Sequence, residues 1–395
     1  MTDVLTPGTY EEAAAALREA ARVRPRGGGT KLGWGAAAPA PDVELSLAGL
    51  DRVVEHNAGD LTAVVQAGVP LARLRGELAA AGQMLAVDPP LGAGDAATVG
   101  GVLATADSGP LRHRHGGPRD LVLGVTVALS DGTIARAGGK VIKNVAGYDL
   151  AKLFTGSFGT LGAILEAAVR LHPLPPATAT AVGESDDPAA LAAAVSALAH
   201  GSLEAQCLDV SWSEGRGRVL ARMAGARAEE QAGAAVGALA RAGLEAEAVG
   251  GEAEPRGGDP NSGGSAEDRL WAAQRAGQRS ASGVVVRVSG VQAQVEAQLR
   301  AAERAGGSLV GRAAHGLSWI ALEDGAAGDP VAAVEQLRRE LAPAPCVVLD
   351  APRRVRERID PWGAADGPAV ELMRRVKARF DPTGSCNAGV FVGGI

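Results

Sequence analysis

Apolar positions in the first 175 residues come in short, strand-length runs separated by turn residues, with glycine-rich stretches between them. One helix precedes them, Tyr10 to Arg22, with Thr9 as N-cap and Glu12 three residues further on, the spacing of a capping box. Short strands follow at Asp42–Leu47, Val53–His56 and Leu61–Gly68. Residues Val69–Gly82 read as a helix with Pro70 in its first turn and Gly82 at its end. Asp120–Arg136 alternates apolar and polar residues on both sides of Asp131-Gly132, which predicts a β-hairpin. Two segments of small residues flank this hairpin, Ala97–Pro110 and Gly156–Leu165. Each leaves room for a ligand to lie close to the backbone.

The pattern changes after the prolines at 173, 175 and 176, where alanine-rich amphipathic helices alternate with strands. Strands are predicted at Cys207–Trp212 and Arg218–Ala224, a helix at Ala226–Ala242, and a polar loop over Gly251–Ser265. Strand Val284–Val288, helix Gln292–Ala305, strands Ser308–Ala313 and Leu317–Leu322, helix Pro330–Leu341 and strand Cys346–Leu349 complete a βαββαβ order. That order is ferredoxin-like. A last helix, Ala369–Phe380, leads into the C-terminal tail. The expected fold class is therefore α+β, with residues 1–175 as one domain divided near residue 90 (about 1–90 and 91–175). Residues 176–350 form a ferredoxin-like antiparallel-sheet cap, and 351–395 return to the first domain.

Composition narrows the function. With 395 residues and a formal net charge of −6, the chain has no basic excess to neutralise nucleic-acid phosphates. Its three cysteines, Cys207, Cys346 and Cys386, form no CxxC pair, so no disulfide, zinc or iron–sulfur site is expected and a reducing cytoplasm suits the chain. No apolar run reaches membrane-spanning length, leaving membrane association only through a partner. The chemistry concentrates in Arg26-Gly27-Gly28-Gly29-Thr30-Lys31. Consecutive glycines can turn successive N–H groups toward one anion, with Arg26 and Lys31 adding charge; the alternative is a flexible linker. Neither GxxxxGK(S/T) nor GxGxxG is present, so this is a phosphate cradle of another kind.

Together, Arg26–Lys31, Asp88-Pro89, Ala97-Thr98-Val99-Gly100-Gly101 with Thr105, Asn144–Leu150 and Gly156–Gly162 resemble the FAD-binding domain of the vanillyl-alcohol oxidase / p-cresol methylhydroxylase (PCMH-type) family. Within it they are most similar to the FAD-binding subunits of bacterial glycolate oxidases. The resemblance implies that Arg26, Gly27, Gly28, Gly29, Thr30 and Lys31, Pro89, and the Thr98, Gly100, Gly101, Ala104, Thr105 and Ser108 cradle hold FAD. Ile164 and Asn387 would lie beside it. Thr30 stands where covalent family members carry histidine, which implies non-covalent FAD. The H-x-G-D-G-N-x-H motif of the larger 2-hydroxy-acid dehydrogenases is missing, and no metal is expected. The implied partners are a larger FAD-linked catalytic subunit and an iron–sulfur subunit of a glycolate oxidase complex, with a small 2-hydroxy acid as substrate.

Candidate catalytic groups remain open. His113 and His115 are an acid/base or ligand pair, or else part of a solvated basic loop. Lys140, Lys143 and Tyr148 line the flavin or contact a carboxylate, or are ordinary surface charges and a packed tyrosine. Asn387 is a flavin-edge contact or a turn residue, and Cys386 is notable for its position alone. Arg353–Arg358 reads as a solvated or partner-facing stretch. A stand-alone oxidoreductase and a non-catalytic flavin carrier are the other two classes.

Overall fold

A computed structural model describes residues 2–141, 148–250, 264–323, 328–363 and 367–395. The chain forms two compact units: Met1–Ser108, His115–Leu174 and Ala364–Ile395 make the first, and Gly109–Arg114 with Pro175–Gly363 the second. The change of unit at Leu174/Pro175 falls within the predicted proline cluster. The return to the first unit comes at Ala364 rather than at 351, because the short helix Arg353–Arg356 buries Val355 in the core of the second unit.

In the first unit, β1 (Asp3–Leu5), β2 (Val23–Arg26) and β3 (Val43–Ser46) form a parallel sheet in the order β1-β3-β2. Pro25 is tolerated because β2 is an edge strand, where a missing N–H interrupts no ladder. The capped helix Tyr10–Glu19 connects β1 to β2, and Thr9 and Glu12 make the predicted reciprocal hydrogen bonds. A second sheet contains β4 (Val53–Asn57) and β5 (Thr62–Gln66). After the two-residue strand β6 (Gln83–Met84), it is completed by β7 (Val122–Ala128), β8 (Ile134–Gly138) and β9 (Ala163–Arg170), in the order β4-β5-β9-β7-β8. The expected division near residue 90 is therefore not followed by the sheets, since β4 and β5 pair into the later half. The hairpin between β7 and β8 forms as predicted. Gly132 takes φ +83°, Asp131 accepts a hydrogen bond from the Thr133 N–H at 2.8 Å, and Leu129 N–H closes on Thr133 at 2.9 Å. A two-residue bridge joins β10 (His172–Pro173) to β6.

Among the described residues, the second unit holds one eight-stranded sheet made of two βαββαβ repeats. The first comprises β11 (Thr178–Ser185), β12 (Cys207–Ser213), β13 (Arg216–Ala224) and β14 (Glu245–Gly250), with helices Pro188–Ala199 and Ala228–Arg241. The second comprises β15 (Val284–Ser289), β16 (Ser308–Arg312), β17 (Leu317–Leu322) and β18 (Cys346–Val348), with helices Val295–Arg304 and Pro330–Glu340. The sheet order is β14-β11-β13-β12-β16-β17-β15-β18. Each half is thus the 4-1-3-2 arrangement of a ferredoxin-like fold, and the halves join through their second strands, antiparallel. The predicted second repeat is present; in the first, β12, β13 and helix Ala228–Arg241 match predicted elements, and β11, helix Pro188–Ala199 and β14 are additions to the expectation. One face of the sheet packs against the four repeat helices. The other carries Val182, Cys207 and Leu220, covered by Trp271 of helix Ala266–Ala276.

At the seam, Asp209 and Arg312 are paired partners of β12 and β16, and both are fully buried. Arg312 Nη1 donates to Asp209 Oδ2 at 2.6 Å, and Gln274 Nε2 donates to the same carboxylate oxygen at 3.0 Å. Arg312 also donates to Gln278 and stacks 4.8 Å from the Trp319 ring centre. A buried charge persists only when paired and hydrogen-bonded; these contacts pair the charges and serve Asp209 Oδ2, while among the described residues Asp209 Oδ1 and Arg312 Nε make no hydrogen bond.

Candidate functional site

The first unit gathers three glycine-rich segments that are far apart in sequence. The loop Gly27–Lys31 leaves β2 and runs against the entry to helix Val99–Thr105. A Cβ on Gly27 would lie 2.1 Å from Thr98 Oγ1, and one on Gly28 would lie 1.6 Å from the Ala96 carbonyl oxygen. Gly92 meets the Thr30 side chain in the same way, at 2.6 Å. Much of the room left by these glycines is therefore taken by protein. Their first physical task is to let two loops touch.

Helix Val99–Thr105 is fixed from several sides. Thr98 accepts from the Gly101 N–H at 3.3 Å, Val99 N–H donates to Val69 and Gly100 N–H to Ala67, at 2.9 and 2.8 Å. Thr105 Oγ1 donates back to the Gly101 carbonyl at 2.8 Å. The third segment docks on this helix: Gly156 N–H donates to Leu103 at 2.9 Å and Phe158 N–H to Ala104 at 2.8 Å. Ala104 thus contributes its carbonyl, and Ser108 is buried with its N–H on Asp107.

The C-terminal tail closes the arrangement. Asn387 Nδ2 donates to the Phe158 carbonyl at 2.6 Å, and its N–H donates to Val23 at 2.8 Å. Ala36 N–H reaches Val390 at 2.8 Å. Lys377, on helix Pro368–Phe380, donates to the carbonyls of Thr160 and Cys386 at 2.7 and 2.8 Å and pairs with Asp381. Burial alone would raise the Asp381 pKa, but Lys377 and the Cys386 N–H outweigh it and hold the carboxyl below its ordinary range. Of the two open readings of Asn387, its amide is seen fastening tail to loop.

Among the described residues, the N–H groups of Gly28 and Gly29 donate to no backbone carbonyl outside the strand ladders, and Gly29 takes φ +76°. A close-packed loop with N–H groups left over suits a diphosphate, which needs many donors and few side chains. Arg26 and Arg24 share Glu44, Arg26 Nη1 donating at 3.0 Å; their hydrogen bonds, Arg24's first, hold Glu44 below the usual carboxylate range. Pro89 is buried at the end of the Leu85–Pro89 segment, and Ile164 sits in β9 opposite Val127.

The comparisons bear directly on this geometry. A protein-family model described as an FAD binding domain matches residues 2–138. FAD is the cofactor of this domain. The chain is 40% identical over 126 residues to the glycolate oxidase subunit GlcE of Escherichia coli, covering 32% of the chain and 36% of that protein. It is 36% identical over 177 residues to a D-2-hydroxyglutarate dehydrogenase of Xanthomonas citri, covering 44% and 37%. These alignments span little more than a third of the relatives' length. Two solved structures share the fold: a 4-ethylphenol oxidase from Gulosibacter chungangensis (TM-score 0.70, 17% identity, 98% of this chain and 88% of that one) and an alkyldihydroxyacetonephosphate synthase (TM-score 0.70, 16% identity, 97% and 75%).

His113 and His115 lie in the short helix Arg112–His115, and their rings meet different neighbours. His113 belongs to the second unit, with its ring 5.7 Å from His315, while His115 stacks 4.5 Å from His172 in the first. No group of three or more metal-ligating side chains occurs among the described residues. Tyr148 is 92% exposed, so the reading of a packed tyrosine fails. Lys143 lies outside the described residues, and Lys140 pairs with Glu55 at 2.8 Å. Cys386 is fully buried and its thiol is pushed up to about 12, by burial first and by Asp381 second, which removes it as a nucleophile. No helix among the described residues is long and apolar enough to cross a membrane.

Sequence reasoning missed the Lys31–Asp107 ion pair and a partly buried cluster on the sheet in which Tyr10 donates to Glu166 at 2.8 Å, Thr126 donates to Glu166 at 3.1 Å and Gln66 donates to Tyr10 at 3.3 Å. Nothing in the spacing of those residues signals the contacts.

The histidines make a pH prediction. Burial pushes His113 down to about 4, with His315 and Arg114 adding repulsion; His315 is depressed too, by burial first and then by Arg112. Both folded values lie below the unfolded value of about 6.5, so the folded unit binds fewer protons in acid. Stability is fully present above about pH 6.5 and is lost as pH falls toward 4. Melting temperature measured across this range should fall less steeply in His113→Gln than in the parent chain.

Proposed function

We propose that this flavoprotein is the FAD-binding subunit of a complex that oxidises a small 2-hydroxy acid, with glycolate as the first candidate. Its partners in this reading are a larger FAD-linked catalytic subunit and an iron–sulfur subunit that receives the electrons. The observation that carries it is the 40% identity to a glycolate oxidase subunit over 126 residues. Bound FAD supplies a two-electron acceptor for a carbon bearing a hydroxyl group. This chain contributes the main-chain cradle of Gly27–Thr30 and the buttress of Thr98–Thr105, with the tail residues Lys377, Asp381 and Asn387 keeping the third segment in place.

A stand-alone dehydrogenase is the second reading, favoured by the longer alignment to D-2-hydroxyglutarate dehydrogenase. The two separate in one experiment. The purified chain is mixed anaerobically with glycolate, D-lactate and D-2-hydroxyglutarate while the visible flavin absorbance is followed. The subunit reading expects the flavin to stay oxidised until the co-purified partner proteins are added. Bleaching of the isolated chain by any of the three acids would favour the second reading.

A further inference from the structure

Lys31 ends the glycine loop, and in the sequence it reads as a cation for the diphosphate. Its geometry assigns it a different task. Lys31 Nζ lies 3.2 Å from Asp107 Oδ2, with the two side chains only 6% and 3% exposed. Asp107 follows helix Val99–Thr105 after a left-handed residue, Ala106 at φ 50°, and its other oxygen accepts from the Ser108 N–H at 3.0 Å. Lys31 also lies 5.7 Å from the Trp34 ring centre, and the Trp34 N–H donates to its carbonyl at 3.0 Å. The ion pair therefore joins the far end of the glycine loop to the far end of the buttress helix, while Gly27 and Gly28 touch Ala96 and Thr98 at the near end.

We propose that Lys31 is a positioning residue: a strut to Asp107 that sets the loop's curvature, so that main-chain N–H groups rather than the ammonium recognise the FAD diphosphate. Turning Lys31 toward a phosphate would strand the Asp107 carboxylate in the interior. It would also place a new anion near that carboxylate, so the exchange is unfavourable on both counts. The pair is consistent with its setting, because a buried lysine and a buried aspartate are tolerated only together.

A double-mutant cycle on the full chain tests this, reading FAD affinity by flavin fluorescence on FAD-stripped protein. Lys31→Met alone should weaken FAD binding about tenfold or more, the scale of coupling within one ion pair. Adding Asp107→Asn, which removes the stranded charge and keeps an acceptor for Ser108, should restore affinity to within about threefold of the parent. Competition with ADP and with adenosine isolates phosphate recognition. The ratio of their affinities should stay within about twofold of the parent value in Lys31→Met/Asp107→Asn, because the phosphate donors are main-chain groups. A double variant that remains as weak as Lys31→Met, with that ratio reduced about tenfold, would make Lys31 a direct phosphate ligand and overturn the proposal. Unchanged FAD affinity in Lys31→Met would overturn it too. If Lys31→Met does not fold, the ADP-to-adenosine ratio in the double variant decides alone.

Discussion

Gly28→Ala should purify without FAD. The added Cβ would stand 1.6 Å from the Ala96 carbonyl oxygen, backbone against backbone, so no side-chain rotation can relieve it. The loop must move away from Ala96, and the N–H groups of Gly28 and Gly29 move with it. Overpacking costs about 3 kcal/mol at the upper end of its usual range, which is roughly a hundredfold in affinity. Gly33→Ala is the control, because a Cβ there meets nothing within 4 Å. The ratio of flavin to protein absorbance after purification reports the outcome: near that of the parent for Gly33→Ala and near zero for Gly28→Ala. A flavin-replete Gly28→Ala protein would show that the loop does not form the cradle.

The second large effect lies in the other unit. Arg312→Met should destabilise it by about 3–5 kcal/mol, the cost of leaving one member of a buried ion pair without its partner. Asp209 would keep Gln274 but lose its counter-charge in a site with no solvent exposure. Replacing both residues, Arg312→Met with Asp209→Leu, should recover most of that loss, since apolar residues of similar volume commonly match a buried pair. Denaturant unfolding followed by tryptophan fluorescence suits the measurement, because Trp319 stacks on Arg312 and Trp212 lies in the same strand as Asp209. A single-variant loss below about 1 kcal/mol would mean that the seam does not depend on the pair.

What could be read in advance followed the strength of the local signals. The Asp131-Gly132 hairpin and the capped helix after Thr9 were legible because turn and cap chemistry act within a few residues. The second repeat was legible because Val284–Val288 and Leu317–Leu322 are apolar and helix Val295–Arg304 is strongly amphipathic. The outer elements of the first repeat were hidden by composition. Strand Thr178–Ser185 is mostly alanine, threonine and glycine, and helix Pro188–Ala199 is apolar almost all round, so neither shows a clear period. Strand β14 is an exposed edge carrying glutamates. In the FAD-binding domain, the glycines announced a cradle, but their spacing could not show that Ala67, Ala96 and Thr98 fill much of the space they vacate. Lys31 and Asp107 are 76 positions apart, and only the folded chain shows that their charges cancel.

The seam of the eight-stranded sheet has one more consequence. Two similar halves meet through equivalent edges running in opposite directions, the geometry by which two separate copies of a half-length chain would associate. Here the acid comes from one half and the base from the other. A half that associated with its own twin would bury its acid, or its base, without the opposite charge that pairs with it here. The charge pair therefore selects against self-association of either half and favours the unlike neighbour that the covalent chain already supplies.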